Sequence, residues 1–222
     1  MGQGTVSTRR VTTILALAAA SAFCVAILRY RFTQTGTHDY RFLVWNLVLA
    51  WVPFVAALAL YDAQRRRAFG ATTVGLAATW LLFLPNAPYI VTDFVHLGRI
   101  GGAPLWFDAV LVSSFAATGL LLGFASILLV QSVVRARVGA FWSWVALLPA
   151  FGLCAVGIVL GRIYRFNSWD AVLHPGALTH TILDRAADPA RAVEGLTLVA
   201  ALSASLALGY VVLYAFTRPD AR

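Results

Sequence analysis

The chain has 222 residues, of which 60% are hydrophobic, and a mean hydropathy of +0.80. Ordinary soluble domains contain roughly 45–50% apolar residues, so this composition excludes a soluble enzyme and predicts a protein that is solvated by lipid. The net charge is +8, and all 17 basic residues are arginines. They stand in ones, twos and one triplet at the edges of apolar blocks, as membrane anchors do, and this distribution excludes a nucleic-acid-binding face.

Apolar blocks follow one another along the chain, each about as long as the roughly 20 helical residues that cross a bilayer. We predict an all-α, polytopic transmembrane helix bundle of about six spans, which forms a single domain over residues 1–222. The predicted spans are 11–28, 42–60, 71–97, 106–130, 141–160 and 196–216, and a long outer loop covers 161–194.

The first span is short, and we expect Arg29 and Arg31 to close it. A cleaved signal peptide is the alternative, because two arginines precede the apolar run and the small residues 20–22 resemble a cleavage site. The run continues past that point to Leu28, which favours a retained helix.

Prolines and glycines predict the shape of the later spans. Pro85 and Pro88 should break the third span, because proline removes a helical hydrogen bond and clashes with the preceding turn. The spacing leaves open whether this span is one kinked helix or a helix with a re-entrant piece. Residues 131–140 should form a short loop, and Asp188 should cap the sixth helix, with Pro189 at its first position. In the outer loop, residues 178–187 favour a short amphipathic helix on the membrane surface.

Small residues inside the apolar blocks point to packing. The spacings of Gly119 with Gly123, and of Gly157 with Gly161, let helices approach closely. Two cysteines fall within apolar runs and are expected to be buried and free; they are Cys24 and Cys154.

The side of the membrane follows from the arginines, because positive residues favour the cytoplasmic side. With six spans, one side carries Arg9, Arg10, Arg65, Arg66, Arg67, Arg135, Arg137, Arg218 and Arg222. The other carries Arg29, Arg31, Arg41, Arg99, Arg162, Arg165, Arg185 and Arg191. The count of nine against eight is decided by five arginines in the two short loops 62–70 and 131–140, and predicts that both termini are cytoplasmic.

Polar residues gather near one level of the predicted bundle, on its outer side. An ionisable residue at membrane depth must pair with another or line a wet cavity, and broken helix is tolerated there only against protein or water. If their helices continue, Asp93 shares a face with His96, and Arg162 with Arg165. The candidate ligand-binding residues are Asn46, Asn86, Asp93, His96, Asp108, Arg162, Arg165, Asn167 and Asp170.

Three motifs in this region resemble a known family. They are FLVWNLVLAWVP at 42–53, FLPNAPYIVTDFVHL at 83–97 and GRIYRFNSWD at 161–170. In this order they resemble an uncharacterised bacterial multi-pass membrane protein family, domain of unknown function 1361. The resemblance implies a bacterial inner-membrane protein and leaves the activity open.

Three functions remain possible from the residues. In the favoured one, Arg162 and Arg165 bind an anionic lipid or a small solute, because guanidinium groups form charge-assisted forks with phosphate. In the second, a membrane-embedded enzyme acts on an envelope lipid or glycan, with His96 as general base and Asp93 orienting it. In the third, the outer loop makes the protein a non-catalytic scaffold.

A structural role for the same residues is the alternative to all three. Arginines at span ends are ordinary interfacial anchors, and Asp93 with Arg162 or Arg165 is equally suited to an ion pair between helices. Beyond the lipid bilayer, the protein partner stays unknown. No cofactor is predicted, and no metal, because two ligands in a DxxH spacing are too few for a metal site.

Overall fold

A computed structural model describes residues 2–66 and 70–217. Arg67, Arg218 and Arg222, three arginines of the orientation count, lie outside the described residues. Within the described ranges all secondary structure is helical, which confirms the all-α prediction. The elements are α1 (Gly2–Thr35), α2 (Phe42–Arg65), α3 (Ala71–Phe83), α4 (Asn86–Tyr89), a 3₁₀ segment (Ile90–His96), α5 (Leu105–Tyr164), α6 (Asp170–Leu173), α7 (Pro175–Ala186) and α8 (Pro189–Thr217).

Two compact units make up the chain. The first unit comprises Met1–Trp51 and Asn86–Gly123, and the second comprises Val52–Pro85 and Phe124–Arg222. In the described part of the chain, five helical stretches are long and apolar enough to cross a membrane. They are Thr8–Thr35, Phe42–Arg65, Ala71–His96, Leu105–Tyr164 and Pro189–Thr217.

The 60-residue α5 contains two of the predicted spans, because its helical backbone is interrupted at Gly139, with φ +85° and ψ 176°. The rings of Phe124 and Phe151 lie on opposite sides of this glycine, with centroids 6.1 and 5.8 Å from the Tyr210 ring. On one straight helix the two would be about 40 Å apart at 1.5 Å per residue. The chain therefore reverses at Gly139, which divides α5 into two arms, and within the second unit residues 124–138 run antiparallel to residues 140–164. Counted as two spans, they agree with the predicted six.

The predicted loop 131–140 is wrong. Residues 131–138 are helical, and the turn is made at Gly139, where a left-handed φ is available to glycine without steric cost. Gln131 is buried and accepts a 2.6 Å hydrogen bond from the Tyr210 hydroxyl, so the segment begins in the packed interior of the second unit. A single glycine thus replaces a ten-residue connection.

The predicted end of the first span is also wrong. α1 continues through Arg29 and Arg31 to Thr35. Arg31 does not anchor the helix at the membrane surface, because its side chain is completely buried in an ion pair. Cys24 is buried one to two turns earlier, with its sulfur 3.4 Å from the Thr118 hydroxyl, and it is free, as is the buried Cys154.

The predicted break in the third span is confirmed. α3 ends at Phe83, two residues before Pro85, and the chain continues as the single turn α4 and then as the 3₁₀ segment. A 3₁₀ helix has three residues per turn, so side chains three positions apart are eclipsed along it.

The start of α8 and the helix in the outer loop are confirmed as well. The Asp188 carboxylate accepts hydrogen bonds from the backbone amides of Ala190 (3.1 Å) and Arg191 (3.4 Å), and α8 begins at Pro189. These bonds satisfy amide groups that the first turn of a helix leaves without partners. The predicted amphipathic segment 178–187 corresponds to α7, which begins three residues earlier than expected and ends one residue earlier.

Candidate functional site

The first unit brings Asn46 and Asp93 together. The Asn46 side-chain amide donates a 2.9 Å hydrogen bond to the Asp93 carboxylate, which is 1% exposed. One turn earlier on α2, the Phe42 ring packs against the His96 ring with centroids 5.0 Å apart. The 3₁₀ segment therefore runs antiparallel to the start of α2, and its eclipsed Asp93 and His96 share a face as predicted.

The backbone of His96 is held from a neighbouring turn. The Tyr40 hydroxyl donates a 3.2 Å hydrogen bond to the His96 carbonyl oxygen. Tyr40 is buried in spite of a left-handed φ of +64°, a conformation that glycine adopts more readily. A tyrosine hydroxyl is protonated at neutral pH and can donate this bond, and burial raises its pKa further. The end of the 3₁₀ segment is thus fixed by a residue that sequence reasoning did not select.

Asp108 is part of a buried ion pair with Arg31. Arg31 Nε and Nη2 bind the two carboxylate oxygens at 2.7 and 3.2 Å, and Nη2 also donates to the Gly101 carbonyl at 3.0 Å. The guanidinium carbon lies 4.9 Å from the centre of the Tyr40 ring. Both charged groups are nearly inaccessible, at 0% and 1% exposed. Asp108 is therefore occupied within the protein, and sequence reasoning missed its partner. The only signal in the sequence was that an acid entering a span requires a nearby cation.

The second unit holds the predicted arginines at the end of α5. The helix ends at Tyr164, so the predicted sharing of a helical face by Arg162 and Arg165 is wrong. Arg165 instead has a left-handed φ of +60°, and the following amide, of Phe166, donates a 3.2 Å hydrogen bond back to the Leu160 carbonyl. Glycine usually occupies such a left-handed position at the end of a helix.

Asn167 and Asp170 form a tight turn after the arginines. Asp170 Oδ2 accepts hydrogen bonds from the Asn167 backbone amide at 2.6 Å and from its side-chain amide at 3.3 Å. Its other oxygen lies 3.2 Å from His174 Nδ1. The backbone hydrogen bond from Asn167, followed by the His174 and Asn167 side chains, lowers the pKa of the Asp170 carboxyl. Both predicted ligand residues are thus engaged with each other, and the carboxylate is ionised at neutral pH.

Arg165 differs from the other charged residues around it. It is exposed, and it makes no recorded hydrogen bond or ion pair within the described ranges. Three acids of the loop are bound elsewhere, since Asp170 contacts His174, Asp184 contacts His180 at 2.9 Å, and Asp188 contacts Arg191 at 3.1 Å. Among the described side chains, these three acids therefore do not balance the charge of the Arg165 guanidinium.

The nine predicted residues divide between the two units. Asn46, Asn86, Asp93, His96 and Asp108 belong to the first, and Arg162, Arg165, Asn167 and Asp170 to the second. Asn86 begins α4 and Arg162 lies in the last turn of α5, and both are half-buried. Convergence of all nine on one pocket stays a prediction. Over the described residues, no three His, Cys, Asp or Glu side chains are grouped as metal ligands.

Several long apolar helices, a broken third span and a buried interhelical ion pair define a multi-pass α-helical membrane protein. The chain belongs to the family described as Protein of unknown function (DUF1361), whose family model matches residues 45–208. This confirms the resemblance drawn from the three motifs. No curated protein and no solved structure matches the chain.

Proposed function

We propose that this protein binds a phosphate-bearing anion, either an anionic lipid or a small solute for transport, at the membrane surface, with Arg165 as the principal contact and Arg162 beside it in sequence. The observation that carries the proposal is the conformation of Arg165. A non-glycine residue in the left-handed region costs roughly 1–2 kcal/mol, and such outliers concentrate at ligand-binding sites. Glycine would fill the same backbone position without this cost, so the strain is retained for the guanidinium itself.

The chemistry of Arg165 fits a phosphate. Its planar group offers paired N–H donors that match phosphate oxygens, and it is exposed at the end of a candidate span. Asn167 and Asp170, predicted as further ligands, are expected instead to hold the turn that follows Arg165, because they bind each other.

The test separates the side chain of Arg165 from its backbone. Arg165→Gly should raise the free energy of unfolding by about 1 kcal/mol, because it relieves the left-handed strain. It should also weaken binding of phosphatidylglycerol, by roughly tenfold to a hundredfold if one charge-assisted contact of about 1.5–3 kcal/mol is lost. Thermal unfolding and quantification by mass spectrometry of the lipid retained in mixed phosphatidylglycerol and phosphatidylcholine nanodiscs measure the two effects.

Arg191→Gly is the matched control for Arg165→Gly. Arg191 is an exposed arginine in the first turn of α8, but it is paired with Asp188. This variant should retain phosphatidylglycerol as the wild type does. If Arg165→Gly retains the lipid equally well, or if it unfolds more readily than wild type, Arg165 is an anchor and the proposal fails.

For the localisation we propose the bacterial cytoplasmic membrane, with both termini inside and the Arg165 end outside. The positive residues support this side, because the burial of Arg31 against Asp108 removes one of the eight outer arginines from the count. In the second unit, Arg137 also donates a 2.8 Å hydrogen bond to Gln64. The arginine-rich end of α2 and the arginine-rich segment before Gly139 are therefore expected on the same side of the membrane.

Labelling with a membrane-impermeant maleimide tests this orientation. In intact cells, His96→Cys should react, and Arg137→Cys should react only after the cells are opened. The native cysteines are both buried, so the unmodified protein gives the background. The reverse pattern would show that the topology is inverted.

A further inference from the structure

The connection between α5 and α8 exposes large apolar side chains. Val172 and Leu173 on α6 are 68% and 65% exposed, and Ile182 and Leu183 on α7 are 45% and 63% exposed. The polar side of α7 carries His180, whose ring lies 2.9 Å from the Asp184 carboxylate one turn later. Helical spacing of 100° per residue puts His180 almost opposite Ile182. α7 is therefore amphipathic, and Ile182 on its apolar side is partly exposed, whereas Leu183 lies nearer to the His180 side.

The place of α6 and α7 in the chain indicates what covers their exposed apolar side chains. This segment joins the second arm of α5 to α8, and the ring contacts of Trp144 with Tyr214 and of Phe151 with Tyr210 show that these two helices are antiparallel neighbours. α6 contacts α7, and α7 contacts α8. The apolar surface is continuous along the chain with exposed residues of both spans, Ile163 and Leu196. A surface that continues the lipid-facing sides of two spans meets the boundary between headgroups and acyl chains.

We infer that α6 and α7 lie in the bilayer interface with Val172, Leu173 and Ile182 in lipid, and that the anion bound at Arg165 is a lipid headgroup. The second part rests on the proposed function. Arg165 stands between Ile163 and the start of α6, so apolar, lipid-seeking residues flank it on both sides. A guanidinium held there is at the depth of the lipid phosphates, where the local concentration of phosphate far exceeds that of a dissolved solute.

The depth of α7 is measured with a fluorophore attached to an introduced cysteine. In nanodiscs, a probe on Ile182→Cys should be quenched by lipids with brominated acyl chains several-fold more than a probe on His180→Cys. Dissolved iodide should quench the His180→Cys probe more strongly. The native cysteines are buried and stay unlabelled. Equal iodide quenching at the two positions would overturn the interfacial placement, as would a probe at Ile182→Cys that is shielded from both quenchers, because a protein partner would then cover this side.

The source of the anion is tested by competition in the same nanodiscs. Phosphatidylglycerol should stay bound when glycerol 1-phosphate or inorganic phosphate is added in excess, and Arg165→Gly should release it. Displacement of the lipid by either soluble phosphate would overturn the lipid assignment and leave the role of Arg165 intact. Retention of the lipid by Arg165→Gly would overturn the proposed function and, with it, the headgroup assignment, whereas the quenching result would still decide where α7 lies.

Discussion

Replacing Arg31 by methionine is expected to lower the free energy of unfolding by about 3–5 kcal/mol, the range found when one partner of a buried ion pair is removed. The guanidinium neutralises Asp108, donates to the Gly101 carbonyl and lies over the Tyr40 ring. Methionine fills part of the same volume but leaves the Asp108 carboxylate buried without its cation. Unfolding in mixed detergent micelles, with wild type and variant compared at the same detergent ratio, measures the loss.

Two further variants isolate the ion pair. Arg29→Met changes an exposed arginine on the same helix and should alter stability by less than about 0.5 kcal/mol, as surface substitutions usually do. The double variant Arg31→Met with Asp108→Leu should recover most of the loss, because replacing both charges by apolar groups is often neutral. If Arg31→Met is as stable as Arg29→Met, the buried pair does not hold the end of α1.

Adding one methyl group at Gly157 or at Gly119 is expected to cost about 1–3 kcal/mol, the range for overpacking a well-packed interior. A β-carbon at Gly157 would lie 2.5 Å from Cγ of Pro85, part of a rigid ring. At Gly119 it would lie 2.5 Å from the backbone oxygen of Ala87. Neither neighbour can rotate away, so the backbone has to move. These contacts confirm the close packing predicted for Gly119 and Gly157.

Gly152→Ala is the control for both glycine substitutions. Gly152 lies on the same arm of α5 as Gly157, but a β-carbon there would meet no atom within 4 Å. Alanine should therefore stabilise the helix by up to about 1 kcal/mol through its higher helix propensity. The free energies of unfolding of the three alanine variants are compared in one assay. If Gly152→Ala lowers the free energy of unfolding as much as Gly157→Ala does, the close-packing account is contradicted.

Apolar block length and proline chemistry were sufficient to predict most of the fold. The break before Pro85 and the start of α8 at Pro189 depend on the backbone of a few neighbouring residues, so the local sequence determines them. The paired contacts of Asn46 with Asp93 and of Phe42 with His96 form between segments about 50 residues apart. In the sequence, the only indication of these contacts was that polar residues fall at similar predicted depths in the membrane.

The predictions of where spans end were wrong where arginines, which usually mark the end of a span, lie inside a helix instead. Arg29 and Arg31 were expected to close the first span. This failed at Arg31, because the ion pair with Asp108 offsets the cost of burying its charge. The loop 131–140 was expected because an arginine-rich segment usually marks a connection, yet Gly139 alone makes the turn. The strain at Arg165 is also not readable from the sequence, since it depends on the hydrogen bond from Phe166 back to Leu160.

Contact between the Arg165 guanidinium and a lipid phosphate is the central claim, and solid-state NMR measures it directly. In phosphatidylglycerol bilayers, dipolar dephasing by ³¹P of the guanidinium carbons of ¹³C-labelled arginine reports which arginines bind phosphate. The difference between wild type and Arg165→Gly should contain one strongly dephased carbon, at a distance consistent with direct hydrogen bonds. A difference spectrum in which the Arg165 carbon is not dephased would show that this guanidinium binds no phosphate, and would contradict the proposed function.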